Sequence, residues 1–216
     1  MIITIDGPAG SGKSSSAKEL ARRLGFEFLD TGAMYRAVTL AALRGSIDVS
    51  DQQALQRLMD GLLLEMPPGR VLLNGEDVTR EIRAGAVTAA SGAVADSPVV
   101  RRRLVELQRQ MAAGRNMVCE GRDQGTVVFP DAFCKFFMVA QPEERARRRQ
   151  QEMARRGENL PWDQVLHAQE LRDARDRQRD LAPMVPAPDA VILDSTQLTL
   201  EQVVERMEQY VRQKDV

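Results

Sequence analysis

The chain has 216 residues, 43% of them hydrophobic, with 30 basic against 31 acidic side chains and a formal net charge of −1. That length and apolar share support one soluble domain with embellishments, and near-neutrality excludes a global field that would draw the chain to nucleic acid or anionic lipid. No run approaches the ~20 apolar residues of a membrane span, and Asp6 interrupts the first apolar run too early for a secretion signal, so a cytoplasmic protein is expected.

The first element is IITID over 2–6, an apolar run of the kind that forms a fully buried parallel strand. It leads into IDGPAGSGKSSS (5–16), which carries G-x-x-x-x-G-K-[ST] with Gly7, Gly12, Lys13 and Ser14 in place. An amphipathic stretch over 13–24 follows, so the motif has the strand before it and the helix after it that its mechanism requires. Bare backbone can wrap closely around a polyphosphate, its amides converging on the oxygens at a helix N-terminus. Lys13 is expected to reach the β and γ phosphates, and the Ser14 hydroxyl to serve Mg²⁺. The chain should bind ATP or GTP.

FEFL at 26–29 reads as the second strand, followed by LDTGAMYR and a helix over 33–44. This places Asp30, Thr31, Tyr35 and Arg36 within one or two helical turns of each other. After a helix over 51–63, LLLEMPPGRVLLNGEDVTREI breaks the rhythm, with Pro67 and Pro68 as breakers and Asn74-Gly75 as a tight hairpin turn between short strands. It reads as a small β-rich insert. A helix over 98–113 precedes the strand MVCE (117–120), and then EGRDQGTVVFPDA supplies Glu120, Arg122 and Asp123. An acid ending an apolar strand suits a role in holding water around a metal, which points to Glu120. CKFFMV (134–139) is the next strand, helices over 142–156 and 162–178 follow, and AVILD (190–194) with a helix over 199–213 complete the chain.

Alternating strands and helices imply α/β architecture, an open five-stranded parallel sheet covered by helices on both faces. Cys119 and Cys134 lie in apolar runs without metal or redox spacing and read as core residues; His167, in a polar helical stretch, reads as solvated. Only four of the 30 basic residues are lysine. An arginine excess suits two-pronged contacts to phosphate, and a GC-rich genome produces the same bias.

A phosphate loop does not define the reaction. The N-K-x-D base reader and D-x-x-G switch of GTPases do not occur, and the chain is short for a motor ATPase. A small-molecule kinase remains, whose second substrate needs its own anion site at the strand ends.

GPAGSGKSSSAK, LDTGAMYRAVTLAAL, EGRDQGTVVFPDA and RDARDRQRDLAPMVPAPDAVILDST together resemble bacterial cytidylate kinases, from Ile2 to about Tyr210. The resemblance implies a single P-loop kinase domain over 1–216: a core (about 1–60, 98–141 and 181–216), a monophosphate-binding insert (about 61–97) and an arginine-bearing lid (about 142–180). It implies ATP-dependent phosphorylation of CMP and dCMP with Mg²⁺ by in-line transfer, in a monomer without nucleic-acid or membrane partners. Gly7, Pro8, Ala9, Gly10, Ser11, Gly12, Lys13, Ser14 and Ser15 would cradle ATP. Arg36 and Arg122 would grip the CMP phosphate, with Thr31, Tyr35 and Asp123 in the acceptor pocket and Arg101 approaching the nucleotide. Arg172, Asp176 and Arg179 would surround its sugar and base. Arg145, Arg148 and Arg149 would act from the lid, and Lys13, Arg122 and these three would form the catalytic set.

Two departures stand out: Thr31 replaces the serine of many members, and AASGAVADSP either keeps a cytosine-side serine at Ser91 or loses it at Gly92. Because the acceptor phosphate is already an anion, no general base is expected. The other readings are a P-loop kinase of another monophosphate or small metabolite, and a non-enzymatic nucleotide sensor or nucleic-acid-binding ATPase.

Overall fold

The computed structural model describes residues 1–155 and 157–214; Arg156, at the end of one expected helix, and residues 215–216 of the expected core lie outside the described residues. In chain order the elements are β1 (Ile2–Asp6), α1 (Lys13–Leu24), β2 (Glu27–Asp30), α2 (Thr31–Arg44), α3 (Gln52–Gly61), β3 (Leu64–Glu65), β4 (Leu72–Leu73), β5 (Glu76–Asp77), a 3-10 turn (Glu81–Arg83), α4 (Gly85–Asp96) and α5 (Pro98–Ala112). They continue with β6 (Met117–Glu120), a π turn (Gln124–Val128), β7 (Cys134–Val139), α6 (Pro142–Ala154), α7 (Trp162–Gln178), β8 (Val191–Asp194) and α8 (Leu200–Lys214). Residues 1–28 with 115–216 form one compact unit, and residues 29–114 form a second. Among the described residues no helix is long and apolar enough to cross a membrane.

The first unit is built on a five-stranded sheet of order β2-β6-β1-β7-β8. β1 is central and buried on both faces: Ile3 and Ile5 on one face and Thr4 on the other are fully inaccessible. Its parallel neighbours are in register, Ile5 opposite Glu120 on β6 and Asp6 opposite Phe137 on β7. β7 pairs in parallel with β8, Val139 opposite Asp194. The strand ends therefore share one edge, and the chain visits β2 and β6 on one side of β1 before β7 and β8 on the other, which makes the end of β1 the switch point where such sheets bind ligands.

Ala17, Leu20 and Ala21 of α1 and Val203, Val204, Met207 and Val211 of α8 join Ile3, Val118, Phe136 and Met138 in one core. The Tyr210 ring stands edge-on to Phe136, centroids 5.6 Å apart. Cys119 and Cys134 are buried in this sheet as thiols not joined in a disulfide, as expected of core residues. A smaller cluster of Ala146, Met153 and Val165 joins α6 to α7.

The second unit holds α2 to α5 and a three-stranded antiparallel sheet of order β3-β4-β5. Its helix starts follow local chemistry: Asp30 caps α2 by accepting from the Ala33 amide, Asp51 caps α3 by accepting from the Gln53 and Ala54 amides, and Ser97 caps α5 just before Pro98. The expected hairpin is present, with Asn74 and Gly75 both at positive φ, 51° and 83°. A Cβ at Gly75 would touch nothing within 4 Å, so Gly75→Ala should cost only the backbone strain, about 1 kcal/mol, read as a small fall in thermal midpoint.

The stretch 61–97 also contains α4, which the sequence reading did not foresee. Its segment GAVTAASGAVAD buries only Val87, Ser91 and Val94. Small residues leave too faint a stripe for periodicity to register.

Candidate active site

β1 ends at Asp6 and the phosphate loop opens at Gly7, where φ is 141° and a Cβ would lie 2.2 Å from the Met138 carbonyl oxygen of β7. No side chain fits there. Gly10 and Gly12 also take positive φ, 78° and 88°. Gly12 stands at the N-cap of α1 with no side chain capping the helix, so the first-turn amides are left for an anion.

Lys13 and Ser14 converge on Glu120. Lys13 is buried, its Nζ donates to the Pro8 carbonyl at 3.2 Å and lies 3.9 Å from Glu120 Oε2. The Ser14 hydroxyl donates to Glu120 Oε1 at 2.6 Å. A hydroxyl and a carboxylate beside a phosphate loop are hard oxygen donors, the set that Mg²⁺ selects. The residues present therefore fit that cation, with Ser14 and Glu120 as the ones that would hold it.

Past β6, the Arg122 guanidinium donates from Nε to Asp176 Oδ2 at 2.9 Å and from Nη1 to the Gly121 carbonyl. Arg179 lies 3.8 Å from Asp176 Oδ1. Burial pushes the Asp176 carboxyl up, but Arg122, Arg172 and Arg179 outweigh that and hold it below its ordinary value. The structure thus brings Arg122, Arg172, Asp176 and Arg179 together. Asp123, next to Arg122 in the chain, is buried.

The α6 arginines have separate fates. Arg145 is 5% exposed; it donates to the Ala140 carbonyl at 3.1 Å and the Ala9 carbonyl at 3.0 Å, and pairs with Asp173 Oδ2 at 2.5 Å. Arg148 donates to Glu144, to the Ser195 hydroxyl at 3.1 Å and to the Ser195 carbonyl at 2.7 Å. The Ser195 hydroxyl in turn donates to the Ser11 carbonyl of the loop at 2.8 Å. Arg149 donates to Glu152 on its own helix, and Arg147 pairs with Glu144 on the exposed side.

The remaining expected residues lie in the second unit. Arg36 pairs with Asp30 at 3.3 Å. The Arg101 guanidinium sits 5.9 Å from the Tyr35 ring centroid and donates to the Ala95 carbonyl. Thr31 is buried. Ser91, one of the two places left open for a cytosine-side serine, is buried and donates to the Thr88 carbonyl at 2.8 Å.

Four residues of the site were not singled out from sequence: Asp6, Gln169, whose Nε2 donates to the Arg145 carbonyl at 3.4 Å, Asp173 and Ser195. Asp173 and Ser195 stand inside the motif stretches RDARDRQR and LDST; their partners lie 28 and 184 residues away, so local spacing carries no signal for them.

A sequence profile of the cytidylate kinase family matches residues 3–213. The chain belongs to the cytidylate kinase family. It is 51% identical over 207 residues to a cytidylate kinase of Pelotomaculum thermopropionicum, covering 94% of this chain and 92% of that one. It is 46% identical over 213 residues to that of Rhodopirellula baltica, covering 99% and 93%. A solved structure of an uncharacterized protein from Eubacterium ventriosum shares the fold, with a TM-score of 0.53 at 13% identity over 98% of both chains. Family membership makes the chain a P-loop α/β kinase, and ATP-dependent phosphorylation of CMP its activity.

Proposed function

We propose that the site transfers the γ-phosphoryl group of ATP to a phosphate oxygen of CMP or dCMP: the new P–O bond forms in line as the bond to the β-phosphate bridge breaks, and ADP leaves. The observation that carries this reading is the meeting of Lys13 and Ser14 on Glu120 at the loop mouth, in a chain matched by the cytidylate kinase profile over residues 3–213. Two anions must be held against their repulsion, so the protein's work is positioning and charge. The loop from Gly7 to Ser15 holds the donor phosphates with the backbone amides of its residues other than Pro8, and Lys13 adds a buried cation. A Mg²⁺ held by Ser14 and Glu120 would supply further positive charge to the β and γ phosphates when bound.

We assign Arg122, Asp123, Arg172, Asp176 and Arg179 in the first unit, and Thr31, Tyr35, Arg36 and Arg101 in the second, to the acceptor. Arg148 and Arg149 act from a lid over about 142–180, and the stretch 61–97 serves the monophosphate. Arg145 is given a positioning role, since its donors already hold the Ala9 and Ala140 carbonyls and Asp173. A monomeric cytoplasmic enzyme without nucleic-acid partners suits the net charge of −1.

The test is ADP release measured across the nucleoside monophosphates. CMP and dCMP should turn over and AMP and GMP should not; silence with CMP would overturn the reading. Glu120→Gln keeps an acceptor for Ser14 but removes the charge, and should cut the rate roughly 10- to 100-fold while raising the Mg²⁺ concentration needed for half-maximal rate. An unchanged Mg²⁺ titration would remove Glu120 from the cation site.

A further inference from the structure

Asp6 is the last residue of β1, one position before the phosphate loop, and is 4% exposed. Each of its oxygens is taken by a different backbone amide: Oδ1 accepts from Gln124 at 2.9 Å and Oδ2 from Gly125 at 2.8 Å. These amides open the π turn directly after Arg122 and Asp123. The β1–β6 ladder ends where the Gly121 amide donates to the Ile5 carbonyl. Beyond that point the Asp6 carboxylate takes over as the tie between the end of β1 and the chain leaving β6.

The turn has little freedom to sit elsewhere. A Cβ at Gly125 would lie 2.9 Å from Thr4 Oγ1 and 3.2 Å from the Lys135 side chain. Asparagine at position 6 would offer one acceptor and turn an N–H donor toward the other amide, so only a carboxylate satisfies both.

We propose that Asp6 is a positioning residue for the acceptor half of the reaction, its carboxylate fixing the Arg122–Asp123 turn against the strand that launches the phosphate loop. Arg122 and Lys13 are thereby held in one frame although Asp6 touches neither substrate. This rests on the assignment of Arg122 and Asp123 to CMP.

The chemistry also makes the tie responsive to pH. Burial pushes the Asp6 carboxyl up to about 7, against the two amide bonds, with Asp123 raising it further and Arg122 lowering it. Cys119 on β6 and Lys135 on β7 are the other titratable groups facing it or its turn. Ionised, Asp6 accepts both amides; protonated, one oxygen becomes a donor facing a donor.

Asp6→Asn in the full-length enzyme should raise the KM for CMP about tenfold at pH 8, the loss expected for a hydrogen bond to a charged acceptor, while the KM for ATP stays within about twofold. The ratio of variant to wild-type KM for CMP should shrink toward one below pH 6.5, where wild-type Asp6 is itself neutral. An equal rise in both KM values, or a ratio flat with pH, overturns the proposal. Should the variant not fold, the unmodified protein decides: the Gln124 and Gly125 amide protons should resonate downfield in NMR spectra and move upfield together as pH falls through about 7. Two resonances at ordinary amide positions throughout would refute the tie. Wild-type enzyme without CMP turnover would sink the functional reading, and the NMR result stands apart from it.

Discussion

Lys13→Ala will lower kcat/KM by about three orders of magnitude while leaving the protein folded. The Lys13 ammonium is 6% exposed and lies 3.9 Å from Glu120, in surroundings where charge acts far more strongly than in water. Removing it takes away the cation that the start of α1 places beside Glu120, and leaves Glu120, 4% exposed, without that neighbour. About 4 kcal/mol of transition-state stabilisation is the corresponding cost. Ser14 still donates to Glu120 at 2.6 Å, so the carboxylate keeps one partner and the fold survives. ADP release titrated over ATP and CMP to give kcat/KM, with the thermal midpoint alongside, checks both halves. Activity within tenfold of wild type would overturn the role given to Lys13.

Arg145→Met should act in the opposite way, through stability first. The Arg145–Asp173 pair is buried, with relative exposures of 5% and 2%, and Asp173 Oδ1 accepts no hydrogen bond among the described residues. Breaking such a pair on one side leaves an uncompensated charge, at about 3–5 kcal/mol. The Ala9 and Ala140 carbonyls lose their donor as well. For a chain of this size the thermal midpoint should fall by about 10 °C. Arg145→Met combined with Asp173→Leu should recover part of the loss, because no unpaired charge remains. A variant with an unchanged midpoint and a collapsed kcat would instead make Arg145 a transition-state cation.

The central strands were readable to within a residue or so because full burial demands unbroken apolar runs: IITID and CKFFMV can hardly be anything else. The phosphate loop was readable because Gly7 is compelled by the Met138 carbonyl 2.2 Å from its would-be Cβ. α4 was not, since alanine, glycine and serine carry little hydrophobic contrast. The arginines show the limit most clearly. Helical spacing separates Arg147 from Arg145, but it says nothing of whether a buried guanidinium meets a substrate or an aspartate on another helix. Asp6 was noticed only as a break in an apolar run; its two amide donors come from 118 and 119 positions further along, and no local pattern announces them.

The close approach of Gly10 to α6 and α7 has a mechanical consequence. A Cβ there would meet Gln169 Nε2 at 2.8 Å and the Arg145 carbonyl at 2.9 Å, and the Arg145 side chain grips Ala9 from the same side. The start of α6 and the middle of α7 thus pack directly against the phosphate loop, with no room for a side chain at position 10. Any residue larger than glycine at position 10 would therefore have to push both helices off the loop that leads into α1.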